Sequence, residues 1–197
     1  MTSGNTHMQD EPTDRWSGEG ASRSYAAPAL PTLADFVRGH GRMTREEFLA
    51  AVEVPALVLN QATQGESTPS LVMTRTSTDG EEEARELHVA FLRKRPGSNS
   101  FSMMITLGRA DNNDIVVKHT LISKFHAYFR TLGGSYTLVD AGSLNGTWID
   151  GKRCAPERSY PLKSGAQLRF GEALVGEFMA PEELYALVRH TVDAGGA

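Results

Sequence analysis

The chain has 197 residues, 40% of them hydrophobic, and carries a formal net charge of −4. That length suffices for one ordinary domain with a real core plus extensions, and the negative balance argues against nucleic acid as the main partner. No apolar stretch approaches the roughly 20 residues a membrane helix needs, and the first residues lack the basic-then-apolar layout of a signal peptide, so a cytoplasmic location without a membrane partner is expected. The acidic excess lies in residues 1–100, while residues 101–180 are slightly basic and could accept an anion.

In chain order, residues 1–30 are rich in Ser, Gly, Thr, Pro and charge, and read as a disordered tail that buries too little to offset ordering entropy. A helical extension is expected over 31–60. Leu33, Phe36 and Val37 give one apolar turn before Gly39 and Gly41. Thr44 and Glu47 then form a capping box ahead of Phe48, Leu49 and Val52, with Pro55 as the stop. Residues 61–70 read as a linker. From 71 the pattern becomes strands: Leu71–Met73, Leu87–Leu92, Phe101–Leu107, Ile115–Val117, Ala127–Thr131, Tyr136–Val139, Thr147–Ile149, Gln167–Phe170 and Leu174–Phe178. Asp150-Gly151 is a two-residue hairpin signal leading into Lys152-Arg153. Many short strands at close spacing predict an all-β sandwich over 71–180. Pro181-Glu182-Glu183 opens a C-terminal helix within 181–197, its stripe made by Leu184, Leu187 and Val188. The only cysteine, Cys154, excludes an internal disulfide and a Cys-rich zinc site, and with no Cys-X-X-Cys partner it reads as a structural thiol.

Three loop signatures lie between these strands. They are Gly108-Arg109 directly after a strand, Ser123-Lys124-Phe125-His126 before another, and Asp140-Ala141-Gly142-Ser143-Leu144-Asn145-Gly146-Thr147 before a third. Arg109 offers a planar fork of donors suited to bidentate capture of phosphate. Ser123 can donate a hydroxyl hydrogen bond and Lys124 a point charge, although a loop serine can equally bond its own backbone. The Asn145 carboxamide can donate to and accept from a peptide backbone; Asn-Gly is also a favoured turn pair in its own right.

In order and spacing these signatures closely resemble the forkhead-associated (FHA) domain, whose pattern is Gly-Arg, then Ser-X-X-His about fifteen residues on, then Asn-Gly about twenty beyond that. The resemblance covers roughly residues 70–180. It implies an FHA-like β-sandwich of about 10–11 short strands with short flanking helices, which binds phosphothreonine peptides through loops at one edge. It makes Arg109 the main phosphate ligand, Ser123 and Lys124 further phosphate contacts, and Asn145 the peptide-backbone contact. His126 is placed inside the fold, Gly108 supplies backbone freedom for the turn, and Gly146 and Thr147 shape the third loop. Leu144 offers only apolar contact to a peptide.

The implied function is a phosphothreonine-dependent signalling adaptor, its partner a Ser/Thr kinase or a kinase substrate. A phospho-independent scaffold on the same sandwich is the alternative. An esterase built on Ser123, His126 and Asp140 is disfavoured because no Gly-X-Ser-X-Gly elbow exposes the serine. No metal and no cofactor are expected, since no carboxylate cluster accompanies the loops. Two threonines, Thr32 and Thr76, have Asp three residues on. Each could, if phosphorylated, dock on the protein's own site or on a second copy.

Overall fold

The structure, a computed structural model, describes residues 27–61 and 86–195. Helices α1 (Leu33–His40) and α2 (Arg45–Ala51) come first, followed by eleven strands among the described residues. In chain order these are β1 (Ala56–Gln61), β2 (Leu87–Phe91), β3 (Ile105–Gly108), β4 (Ile115–Val116), β5 (Ala127–Leu132), β6 (Ser135–Asp140), β7 (Thr147–Ile149), β8 (Lys152–Arg153), β9 (Ser159–Pro161), β10 (Ala166–Phe170) and β11 (Leu174–Met179). Helix α3 (Pro181–Gly195) closes the chain. The strands form two sheets, ordered β2-β1-β11-β10-β7-β8 and β4-β3-β5-β6-β9. All pairs are antiparallel except β3 with β4. The inward residues of both sheets, among them Leu57, Leu59, Leu107, Phe129, Leu138, Leu168, Phe170 and Phe178, interdigitate as one core.

The helices make a second layer. Phe36, Phe48, Leu184 and Val188 pack with Val58, Val89 and Met179 on the opposite face of β1, β2 and β11. Strand β1 is thereby buried on both faces, its first five residues all inaccessible to solvent. That explains one departure from the sequence reading, which places 56–60 in the helical extension. A strand covered on both sides shows a continuous apolar run, not the alternation that signals a half-buried strand. Gln61, assigned above to a linker, is the last residue of that strand. The remainder of the linker and the strand expected at Leu71–Met73 lie outside the described residues.

The caps follow the local rules. Thr44 accepts from the Glu47 N–H while Glu47 accepts from the Thr44 N–H, the reciprocal pair of a capping box. Thr32 caps α1 in a similar way: its hydroxyl accepts from the Asp35 N–H at 3.0 Å and donates to the Asp35 carboxylate at 2.9 Å. The Thr32–Asp35 spacing therefore serves a helix terminus, whereas Thr76 falls outside the described residues. Residues 27–30, assigned above to the disordered tail, are described, and Leu30 packs against the sandwich core; the rest of that tail is not. Strand β9, absent from the sequence reading, pairs at the sheet edge through Ser159–Pro161, where a three-residue segment with Pro gives no periodic signal. Residues 101–104 turn before β3 begins, so the strand expected over 101–107 is shorter. In the β7–β8 hairpin, Asp150 and Gly151 have φ of 49° and 75°, the pair of positive values a type I′ turn requires.

Phe48 is the centre of the helical layer. It is fully buried, with its ring 6.1 Å from Phe36 and 5.3 Å from Tyr185. Phe48→Ala is expected to lower unfolding free energy by ~3–5 kcal/mol through lost transfer and cavity formation, measured by urea denaturation.

Candidate functional site

The three loop signatures follow β3, precede β5 and precede β7, and backbone hydrogen bonds join them. The N–H of Arg109 donates to the Ser123 carbonyl at 3.0 Å, and that of Ala110 to the Lys124 carbonyl at 3.2 Å. The first two loops thus lie side by side. Gly108 is what permits this approach. A Cβ on residue 108 would sit 2.4 Å from the Lys124 carbonyl oxygen and 2.9 Å from Asn113 Nδ2. Its φ is not positive, so the glycine supplies room, not the turn freedom expected from sequence. Asn113, buried, donates to the carbonyls of both Ala110 and Lys124 and holds the same junction.

The second and third loops are tied through Ser123, His126 and Asn145. Leu144 N–H donates to Ser123 Oγ at 3.1 Å, which leaves the hydroxyl hydrogen free to point elsewhere. Asn145 Nδ2 donates to the Leu121 carbonyl at 2.7 Å, leaving its carbonyl oxygen unspent. His126 is fully buried. Its Nδ1 accepts from the Ser123 N–H at 3.2 Å, and its Nε2 stands 3.1 Å from the Gly146 carbonyl. Together these contacts require the neutral ring with hydrogen on Nε2. Both nitrogens are committed to backbone, and neither faces the Ser123 hydroxyl, so the Ser-His pairing of a hydrolase is not assembled.

Within the third loop the organiser is Asp140, which sequence inspection passed over as a triad candidate. Its side chain accepts from the N–H groups of Gly142 and Ser143 and from the hydroxyls of Ser143 and Thr147, the last at 2.5 Å. An Asp two residues before a Gly-Ser pair is an Asx-turn signal that could have identified it. Gly146, not Asn145, takes the positive φ, 81°, a value only glycine adopts freely. Thr147 is buried against Asp140. Cys154, also buried, has its thiol pushed up to about 11, by burial first and then by the Asp140 charge. It is an unreactive group.

The acids near Arg109 are also accounted for. Asp114 accepts from Ser98, Lys94, Thr106 and the Arg95 N–H. Burial pushes its carboxyl up, but these hydrogen bonds together outweigh it and hold the group below the usual carboxylate value. Asp111 pairs with Lys118 at 2.6 Å, and Lys118 also donates to the Arg109 carbonyl; this lysine escaped the sequence reading because it belongs to none of the three signatures. Among the described residues no group of three or more His, Cys, Asp or Glu could hold a metal. The side chains of Arg109 and Lys124 are exposed, and neither forms an ion pair among the described residues. Leu144 is 86% exposed beside them.

His126 gives the site a pH signature. Burial lowers its pKa below the ordinary 6.5, and the Gly146 carbonyl and Asp140 charge restore only part of that. The unfolded chain therefore binds the proton first as pH falls. The stability contributed by neutral His126 is complete above 6.5 and is lost as pH drops from there toward the lowered folded value. Unfolding free energy measured from pH 8 to 5 is expected to decline over that window, and His126→Gln is expected to flatten the decline while lowering stability by ~1–3 kcal/mol at pH 8.

Comparison with known proteins places the same segment. Residues 105–171 match the family model for the FHA domain. Over 67 residues the chain is 39% identical to an oxoglutarate dehydrogenase inhibitor of Corynebacterium diphtheriae, covering 34% of this chain and 45% of that one. Over 65 residues it is 37% identical to the glycogen accumulation regulator GarA of Mycolicibacterium smegmatis, covering 33% of this chain and 39% of that one. The chain thus spans less than half the length of these curated relatives. A solved FHA domain of Arabidopsis thaliana aligns over 64% of this chain and 84% of its own at 21% identity and a TM-score of 0.44, too loose a likeness to bear on the site. The matched segment contains all three loops, so it is residues 105–171 that are similar to the forkhead-associated (FHA) domain.

Proposed function

We propose that the protein is a phosphothreonine-dependent interaction module, an adaptor in Ser/Thr kinase signalling whose partner is a phosphorylated kinase or kinase substrate. In this reading Arg109 takes two phosphate oxygens through its guanidinium fork, the Ser123 hydroxyl donates to a third, and Lys124 adds charge. Asn145 bonds the peptide backbone beside the phosphothreonine. Gly108, His126, Gly146 and Thr147 hold the loops in register.

One observation carries the reading. Two cationic side chains without ion-pair partners among the described residues project from loops that buried hydrogen bonds lock together. A preorganised donor set of this kind binds an anion without ordering its own loops first. It also weighs against the phospho-independent scaffold, which has no physical need for an exposed Arg109 beside Ser123 and Lys124. The names of the curated relatives, an enzyme inhibitor and an accumulation regulator, fit a protein that acts by binding. The site holds a phosphate but offers it no nucleophile, since both imidazole nitrogens of His126 are occupied by backbone.

Titration with an oriented phosphothreonine peptide library, with phosphoserine and unphosphorylated controls, tests this. Binding of the best phosphothreonine peptides is expected in the micromolar range, about −8 kcal/mol, with the controls far weaker. Arg109→Ala is expected to raise Kd about ten- to hundredfold, the equivalent of one or two charge-assisted hydrogen bonds, without lowering the unfolding midpoint. Equal affinity for phosphorylated and unphosphorylated peptides would return the scaffold reading.

A further inference from the structure

The sheet face outside the helical layer carries an arrangement the three loops do not use. Trp148 on β7 is the direct cross-strand partner of Arg153 on β8 and of Arg169 on β10. Directly opposed residues of neighbouring strands point to the same side, so the three form one row, Arg-Trp-Arg. The Arg169 guanidinium carbon lies 3.4 Å from the Trp148 ring centroid and that of Arg153 lies 5.5 Å from it. Each cation is held by the ring quadrupole. Neither forms an ion pair among the described residues. Among the described residues the Glu172 charge bears on Arg169, but the two make no ion pair.

Two like charges gathered on one ring, with no ion pair to a carboxylate among the described residues, repel each other and favour any anion that bridges them. The row also adjoins the third loop. A Cβ on Gly146 would sit 2.9 Å from Arg153 Nε and 3.0 Å from the Trp148 ring, so the guanidinium rests on the bare glycine next to Asn145. Arg169 donates to the Gly171 carbonyl, the Gly171 N–H donates to the Gly146 carbonyl, and a Cβ on Gly171 would lie 3.1 Å from the Asn145 Cβ. Both arginines are therefore within one residue of the Asn145–Gly146 turn.

From this geometry we infer that Arg153 and Arg169, mounted on Trp148, are a second anion subsite that accepts an acidic group of the bound partner, either a carboxylate side chain or a second phosphate, on the Asn145 side of the phosphothreonine. The inference rests on the phosphothreonine reading and sharpens it to a class of peptide, one that is acidic near the modified residue. Arg, unlike Lys, suits both sources because its fork matches carboxylate and phosphate alike.

The test uses the full chain and a phosphothreonine peptide in which each position on either side is changed in turn from Ala to Glu and, in a parallel series, to phosphoserine. At one position or two neighbouring ones, both substitutions are expected to tighten binding about three- to tenfold. A gain from phosphoserine alone identifies a second phosphate as the ligand. In Arg153→Gln/Arg169→Gln that gain is expected to vanish while the all-Ala phosphopeptide keeps its wild-type Kd within about twofold. If the double variant melts early, the exposed Arg153→Gln alone carries the comparison, with about half the gain lost. Acidic and Ala peptides losing affinity equally, or no position preferring an acid, overturns the second subsite and leaves the phosphothreonine site standing. Failure of every phosphothreonine peptide to bind the wild type overturns both.

Discussion

A single buried imidazole is the constraint on which the edge of this sandwich depends. His126 spans the gap between the loop before β5 and the loop before β7, accepting from Ser123 and facing the Gly146 carbonyl. Without the ring the Ser123 N–H would lose its partner, at a cost on the order of 1–3 kcal/mol, and the Gly146 carbonyl would keep only the Gly171 N–H. The ring consequently sets how far apart the two loops can be. Because Arg109 and Ala110 pair with the carbonyls of Ser123 and Lys124, the position of the first loop follows from that of the second. A side chain that titrates near neutrality is here kept neutral by burial, and its chemistry is spent on spacing.

The same economy runs through the loops. Asp140 is a buried carboxylate that would be expensive unless satisfied, and four donors from its own loop satisfy it. Asp114 does the same under the first loop with Lys94, Ser98, Thr106 and the Arg95 N–H. With the internal polar groups satisfied by one another, Arg109 and Lys124 remain exposed and without an ion pair among the described residues. Rigidity beneath and unspent charge above are what a recognition surface needs. The helices have no part in this edge. They cover the far face of β1, β2 and β11 and give the strands there a second core.

How much of this was legible in the sequence varies with the range of the interaction. The Thr44–Glu47 capping box, the Asp150-Gly151 hairpin and the β10 and β11 strands depend on neighbours a few residues apart, and they were readable to within a residue or two. Strand β1 was not, because helices from both ends of the chain cover its outer face and remove the alternation that marks a strand. The Thr32–Asp35 pair resembled a modification motif and is a helix cap, since the same two residue types at the same offset serve both purposes. Gly108 was read as a turn glycine. Its necessity comes from a carbonyl sixteen positions later in the chain, which no local pattern reports.

By itself the sequence determined the class of fold, because hydrophobic period is written residue by residue, and the resemblance of its three loops pointed to the residues proposed to meet a phosphate. Only the tertiary structure decided which groups are spent and which are available. Ser123, His126 and Asp140 could have been drawn as a hydrolytic set on paper; in the fold the imidazole turns both nitrogens to backbone and the carboxylate turns to its own loop. The Arg153–Trp148–Arg169 row likewise exists only through the pairing of β8, β7 and β10. Strand register brings together side chains that lie five and twenty-one positions apart along the chain, and register is a property of the assembled sheet.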